Sequence, residues 1–204
     1  MILSAQSILA RCTGPIPMIS PFMAEREVIR GKSAGLSSCS YDVCIARDLV
    51  LGVSAGDLML SVIRDAKRRH DAAHEPALCD AYWKRLSNSP PNRALANTIE
   101  DFAMPDDVAG FVVDKSSYAR VFVTAFNTLL DPGFAGNLTL ELVNLGNEEV
   151  VYETGDPVCQ IVFHQLDHRT DRPYRGKYSG QTAEPHPARF ELPGGGYAPA
   201  TPRL

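Results

Sequence analysis

The sequence predicts a mainly β protein that carries one helical insertion, and three observations lead there. Fifteen prolines and fifteen glycines are spread through 204 residues, which favours frequent turns and short strands over long helices. Residues 94–166 read as short apolar runs divided by turn residues, the pattern of strands. Between them and an earlier strand-like zone, residues 61–93 are dense in helix formers.

The elements follow in order. Up to about Leu60, GLSSCSYDVCIARDLVLGVSAGDLML sets short apolar runs between Gly, Ser and Asp, as strands joined by tight turns do. Within 61–93, Leu78, Ala81, Tyr82 and Leu86 fall at helical spacing. SNSPPN, residues 87–92, then ends the helix, because proline lacks a donor and restricts the residue before it. His70 and His74 stand four apart but have no third ligand nearby in sequence, so they read as surface histidines. Met104–Asp107 forms a turn before VAGFVV, and Asp131, Pro132 and Gly133 form another before NLTLELVN. In that strand Leu138, Leu140 and Leu142 face one side, while Thr139, Glu141 and Val143 face the other. One domain over residues 1–184 is expected. The tail, 185–204, is rich in Pro and Gly, so it is expected to be disordered or laid over a neighbour.

Charge and hydropathy exclude some partners. The net charge is −4, and the densest basic run, Lys67 to His70, is flanked by Asp65 and Asp71. That is a solvated helical face rather than a nucleic-acid surface, which needs clustered cations. No apolar run approaches the ~20 residues that span a bilayer. MILSAQSILARC lacks the basic start of a signal peptide. Five scattered cysteines without a CxxC pair read as reduced thiols of a cytoplasmic protein.

Three features could do chemistry. Glu141 is an isolated carboxylate in a strongly apolar strand, where desolvation raises a pKa toward that of a general base. A sheet-edge glutamate paired with arginine is the plainer alternative. Asp131 opens the turn into the same strand; it suits turn chemistry, and two carboxylates on one pocket wall also suit a polar, sugar-sized ligand. DKSSYAR, residues 114–120, packs two cations, hydroxyls and free backbone N–H groups into seven residues, the groups a polyphosphate requires. It lacks the glycines of a Walker loop. A solvated turn with a helix cap is its other reading.

The ordered run MPDDVAGFVVDKSSYAR, DPGFAGNLTLEL, GDPVCQIVF and PYRGKYSGQ, with MILSAQSI and GLSSCSYDV upstream, resembles the dCTP deaminase family of the trimeric dUTPase-like superfamily. The resemblance covers most of residues 1–60 and nearly all of 94–181. It implies a distorted jelly-roll or barrel of β strands, a homotrimer with active sites between subunits, and a Mg²⁺ held mainly by the triphosphate. Lys115, Ser116, Ser117 and Arg120 then match the phosphate and water side, with Ser116 and Arg120 placing water and polarising cytosine. Glu141 matches the general base that activates water for attack on C4, and Asp131 matches the acceptor of the deoxyribose 3′-hydroxyl. Tyr174, Lys177 and Gln181 match the segment that closes over the triphosphate.

The family needs no zinc, and this chain lacks the H-x-E and P-C-x-x-C elements of zinc deaminases. Relatives carry Leu-Gly after the signature arginine where this chain has Val121 and Phe122. Its stretch from Arg120 to Asp131 is also shorter than theirs, and Asn127 and Thr128 are the expected base-edge readers there. The resemblance thus implies dCTP as substrate, with dUTP diphosphatase or a bifunctional enzyme as runner-up and dTTP as a further ligand. A silent nucleotide-binding protein is a third reading, disfavoured by the intact Ser116, Arg120, Asp131 and Glu141 set.

Overall fold

The computed structural model describes residues 1–68, 75–126 and 128–199. Helix α1 (Ala5–Cys12) comes first. Five short strands follow: β1 (Ile19–Ser20), β2 (Glu27–Ile29), β3 (Lys32–Leu36), β4 (Tyr41–Cys44) and β5 (Leu49–Leu51). Helices α2 (Ala55–Arg68) and α3 (Glu75–Asn88) form the insertion. Then come β6 (Arg93–Ala103), β7 (Val108–Asp114), the single turn α4 (Ser116–Ala119), β8 (Val123–Ala125), β9 (Leu129–Leu130) and β10 (Ala135–Asn144). The last strands are β11 (Val150–Tyr152), β12 (Pro157–Gln165), β13 (Arg189–Glu191) and β14 (Tyr197–Pro199).

Two mostly antiparallel sheets carry the fold, ordered β1-β6-β10-β8 and β2-β3-β4-β12-β7-β9. They share one apolar core: Phe102, Leu138, Leu140 and Leu142 from the first sheet join Tyr41, Val43, Val112, Ile161 and Phe163 from the second. The mainly β, jelly-roll-like class expected from sequence is what forms. The described strands stay in separate sheets, however, and do not close into a barrel.

Strand β10 shows why the core sits where it does. Leu138, Leu140 and Leu142 are 7%, 1% and 1% exposed, whereas Thr139, Glu141 and Val143 between them are half-buried. Burying each leucine contributes roughly 1.5–3 kcal/mol. The alternation therefore commits one face to the core and leaves the other facing a cleft.

The helices depart from expectation in two places. α1 was not legible as a helix, although Ser4 caps it by accepting from the Ser7 N–H. The insertion begins at Ala55 rather than residue 61. Ser54 accepts from the Asp57 N–H at 3.1 Å and donates to the Asp57 carboxylate, a reciprocal cap of the kind that starts helices. His70 and His74 lie outside the described residues. Of the five cysteines, none is in a disulfide: Cys12, Cys44 and Cys159 are buried, and Cys39 and Cys79 are exposed.

One buried acid ties the two sheets together. Glu100 on β6 is 1% exposed, and its carboxylate accepts from the Cys44 N–H of β4 at 3.0 and 3.2 Å. Burial pushes its pKa from 4.5 up to about 7. Because the folded value is the higher one, the proton stabilises the fold fully below the unfolded value, and that contribution fades as pH rises through about 7. A shift of this size corresponds to roughly 3 kcal/mol. Glu100→Gln is therefore expected to flatten the fall in urea-unfolding free energy between about pH 5 and 8. Parallel pH profiles for variant and wild type would rule out this role.

Candidate active site

A cleft of about 490 Å³ opens on the outward face of β10, within the size range of small-molecule sites. Thr139 and Glu141 form its wall, and Leu95, paired with Glu141 across β6, stands beside them. Phe134 and Leu138, which belong to the edge of the core, also reach the cleft lining, as do Thr128, Leu129 and Asp131. The remaining side belongs to the chain beyond residue 173, through Tyr174, Lys177, Tyr178, Gln181, His186 and Ala188.

Two glycines let that late segment approach. A Cβ on Gly133 would meet Pro173 at 2.6 Å, and one on Gly136 would meet the Gln181 backbone at 2.6 Å. Both have positive φ, 84° and 118°, which glycine adopts without steric penalty. Hydrogen bonds then hold the segment down. The Tyr174 N–H donates to Pro132 O at 2.7 Å, Gly180 N–H to Ala135 O at 2.7 Å, and Asn137 N–H to Gln181 O at 3.0 Å. The Thr139 hydroxyl donates to the Gln181 side-chain carbonyl. Tyr174 also packs its ring against Phe134.

Glu141 is the sharpest chemical feature. Its Oε2 is buried and has no hydrogen-bond partner among the described residues. Burial raises its pKa above the ordinary glutamate value. A carboxylate that is poorly solvated and not held by a cation is a stronger base than one in water. Thr128 Oγ1 is likewise buried without a partner among the described residues.

The structure divides the expected site residues. Thr128, Asp131, Glu141, Tyr174, Lys177 and Gln181 meet in this cleft. Asn127 lies outside the described residues. Lys115, Ser116, Ser117 and Arg120 do not line it. Ser116, Ser117 and Arg120 are exposed on and after α4, and the Arg120 guanidinium donates to Ser116 O at 2.7 Å. Lys115 is 5% exposed. Its ammonium forms an ion pair with Asp42 at 2.8 Å and donates to Ser33 O at 2.8 Å. The expected phosphate ligand is thus tied up inside the protein. Sequence reasoning also missed His186, which no local pattern marks.

Comparison with known proteins shows the family. A family model described as dCTP deaminase-like matches residues 26–166. The dCTP deaminase of Campylobacter jejuni subsp. doylei is 32% identical over 170 residues, covering 81% of this chain and 86% of that protein. A "dCTP deaminase, dUMP-forming" of a Sulfurihydrogenibium species is 40% identical over 93 residues, covering 45% of this chain and 52% of that one. A solved dCTP deaminase from Agrobacterium tumefaciens overlays with a TM-score of 0.48 at 17% identity, covering 80% of this chain and 47% of that chain. The family match spans well over half of the sequence, and the chain belongs to the dCTP deaminase-like family.

Proposed function

We propose that this protein deaminates dCTP to dUTP and ammonia, with Glu141 as the base that activates water. The observation that carries the reading is the half-buried Glu141 carboxylate, whose Oε2 has no hydrogen-bond partner among the described residues, in a cleft that also holds Asp131 and the Tyr174–Gln181 segment. In this scheme Glu141 takes a proton from water as its oxygen bonds to C4 of the cytosine. It delivers that proton to N3, then carries the proton of the new C4 hydroxyl to the amino nitrogen; the C–N bond breaks, and ammonia leaves as the C4 carbonyl forms. The carboxylate is regenerated.

The other residues bind and orient. Asp131 receives the deoxyribose 3′-hydroxyl. Thr128, with Asn127, reads the base edge, and Tyr174, Lys177 and Gln181 hold the triphosphate under the C-terminal segment. Ser116, Ser117 and Arg120 would complete a neighbouring copy's cleft in a homotrimer. Their exposure, beside exposed Val121, Phe122 and Phe126, supports that reading. Lys115 then orders the segment rather than touching phosphate. The cleft offers two carboxylates, too few for an octahedral magnesium cage. Mg²⁺ would therefore arrive with the phosphates and neutralise part of their charge. Free thiols and a nucleotide substrate suit a cytoplasmic enzyme; among the described residues no helix is long and apolar enough to cross a membrane.

The decisive experiment incubates the protein and Mg²⁺ separately with dCTP and with dUTP, then separates the products by chromatography. Ammonia with dUTP is the expected result from dCTP. Release of dUMP from dCTP would favour the bifunctional enzyme, a reading that the dUMP-forming relatives make specific. Inert dCTP together with dUMP formed from dUTP would replace the deaminase reading with a diphosphatase.

A further inference from the structure

We propose that His186, delivered by the chain beyond Gln181, is a substrate-binding residue whose Nε2–H donates to a phosphate oxygen of the nucleotide. The inference rests on the reading of the cleft as a nucleoside triphosphate site, and it extends that site into the C-terminal tail.

His186 reaches the cleft because its segment is pinned at several points. The Asn97 side-chain amide donates to Thr182 O at 3.3 Å. The Arg47 guanidinium bonds the Glu184 carboxylate at 2.7 Å. Farther on, the Arg189 N–H donates to the Tyr178 hydroxyl at 3.0 Å and its guanidinium to Lys177 O at 3.0 Å. The β13–β14 hairpin follows directly, with Arg189 opposite Pro199. The tail, expected to be disordered or laid over a neighbour, lies over its own domain across the described residues 185–199, and it carries His186 into the lining that also holds Lys177.

The orientation of the ring follows from one contact. The Arg189 guanidinium lies 3.2 Å from His186 Nδ1. Arginine can only donate, so Nδ1 must offer its lone pair. A neutral imidazole with Nδ1 as acceptor carries its proton on Nε2. That Nε2 is buried and has no partner among the described residues. His186 thus brings a ring N–H to the wall of a cleft that Lys177 also lines, with the Arg189 guanidinium against the other ring nitrogen. A donor in the same lining as a lysine suits an anionic oxygen, and the phosphates are the anionic part of the substrate. Packing alone does not account for it, since a buried donor left unpaired costs free energy.

The test compares wild type with His186→Phe, which keeps a ring without a donor, and His186→Gln, whose side-chain amide can return a donor near Nε2. Two quantities are measured for each: KM and kcat with dCTP, and the dissociation constant of inorganic tripolyphosphate with Mg²⁺. His186→Phe is expected to raise KM and weaken tripolyphosphate by about 10- to 100-fold, the worth of one hydrogen bond to a charged group. Its kcat and thermal unfolding temperature should stay near wild type, and His186→Gln should recover part of the affinity. Unchanged affinities in His186→Phe overturn the inference. A loss with dCTP but not with tripolyphosphate moves the contact to base or sugar and overturns the phosphate assignment. If wild type turns over dCTP while His186→Phe matches it throughout, only this inference fails. If wild type binds neither dCTP, dUTP nor tripolyphosphate, the reading of the cleft fails with it.

Discussion

Glu141→Gln is expected to bind dCTP with near wild-type affinity yet release ammonia roughly 10²–10⁴ times more slowly, the usual cost of removing a positioned acid–base group. Glutamine has almost the same shape and can still hydrogen-bond within the cleft, but it cannot take a proton from water. Glu141 Oε2 meets no donor among the described residues, and the residue's strand neighbour across β6 is Leu95. Because burial raises its pKa, the acid limb of the kcat/KM profile should lie above the ordinary glutamate value. Activity falls as pH drops through that limb, since the base must be ionised to act. The limb should vanish in whatever residual activity the variant keeps. Undiminished ammonia release from dCTP by Glu141→Gln would remove this residue from the mechanism.

Lys115→Met should cost about 3–5 kcal/mol of stability, measured by urea unfolding, because it leaves a buried charge without its partner. The pair concerned is Lys115 with Asp42, 6% and 5% exposed and 2.8 Å apart. A loss of that size is a large part of the 5–15 kcal/mol that holds a typical domain folded. The double change Asp42→Leu with Lys115→Met should lose much less, since removing both charges avoids the uncompensated one. The comparison also decides between two roles for Lys115. A phosphate ligand would show a raised KM for dCTP in Lys115→Met with little change in unfolding. A structural anchor would show the reverse, and the paired geometry here predicts the reverse.

The elements that could be read from sequence are those whose signal is local. In β10 the alternation of leucine with Thr139 and Glu141 repeats every two residues, so its core face and cleft face were legible before any packing was known. The breaks at SNSPPN and at Asp131–Gly133 were legible for the same reason. Each depends on backbone restrictions within a few residues. Ser54 and Asp57 carried a readable cap as well, and the early start of α2 was available to a closer reading of that tetrad.

Position in space was not legible in this way. Lys115 has the same sequence context whether it meets a phosphate or Asp42. The choice depends on β4, more than seventy residues earlier, coming to lie beside it. The cleft itself depends on Gly133 and Gly136 admitting a segment some forty residues later, and His186 enters it through contacts to Arg189, Lys177 and Tyr178 that no periodicity encodes. The sequence therefore named the mainly β fold and the family, because strand periods and ordered motifs are properties of neighbouring residues. Which cation is buried, which is exposed, and which tail residue lines the cleft depend on long-range contacts, and these exist only once the chain has folded back on itself.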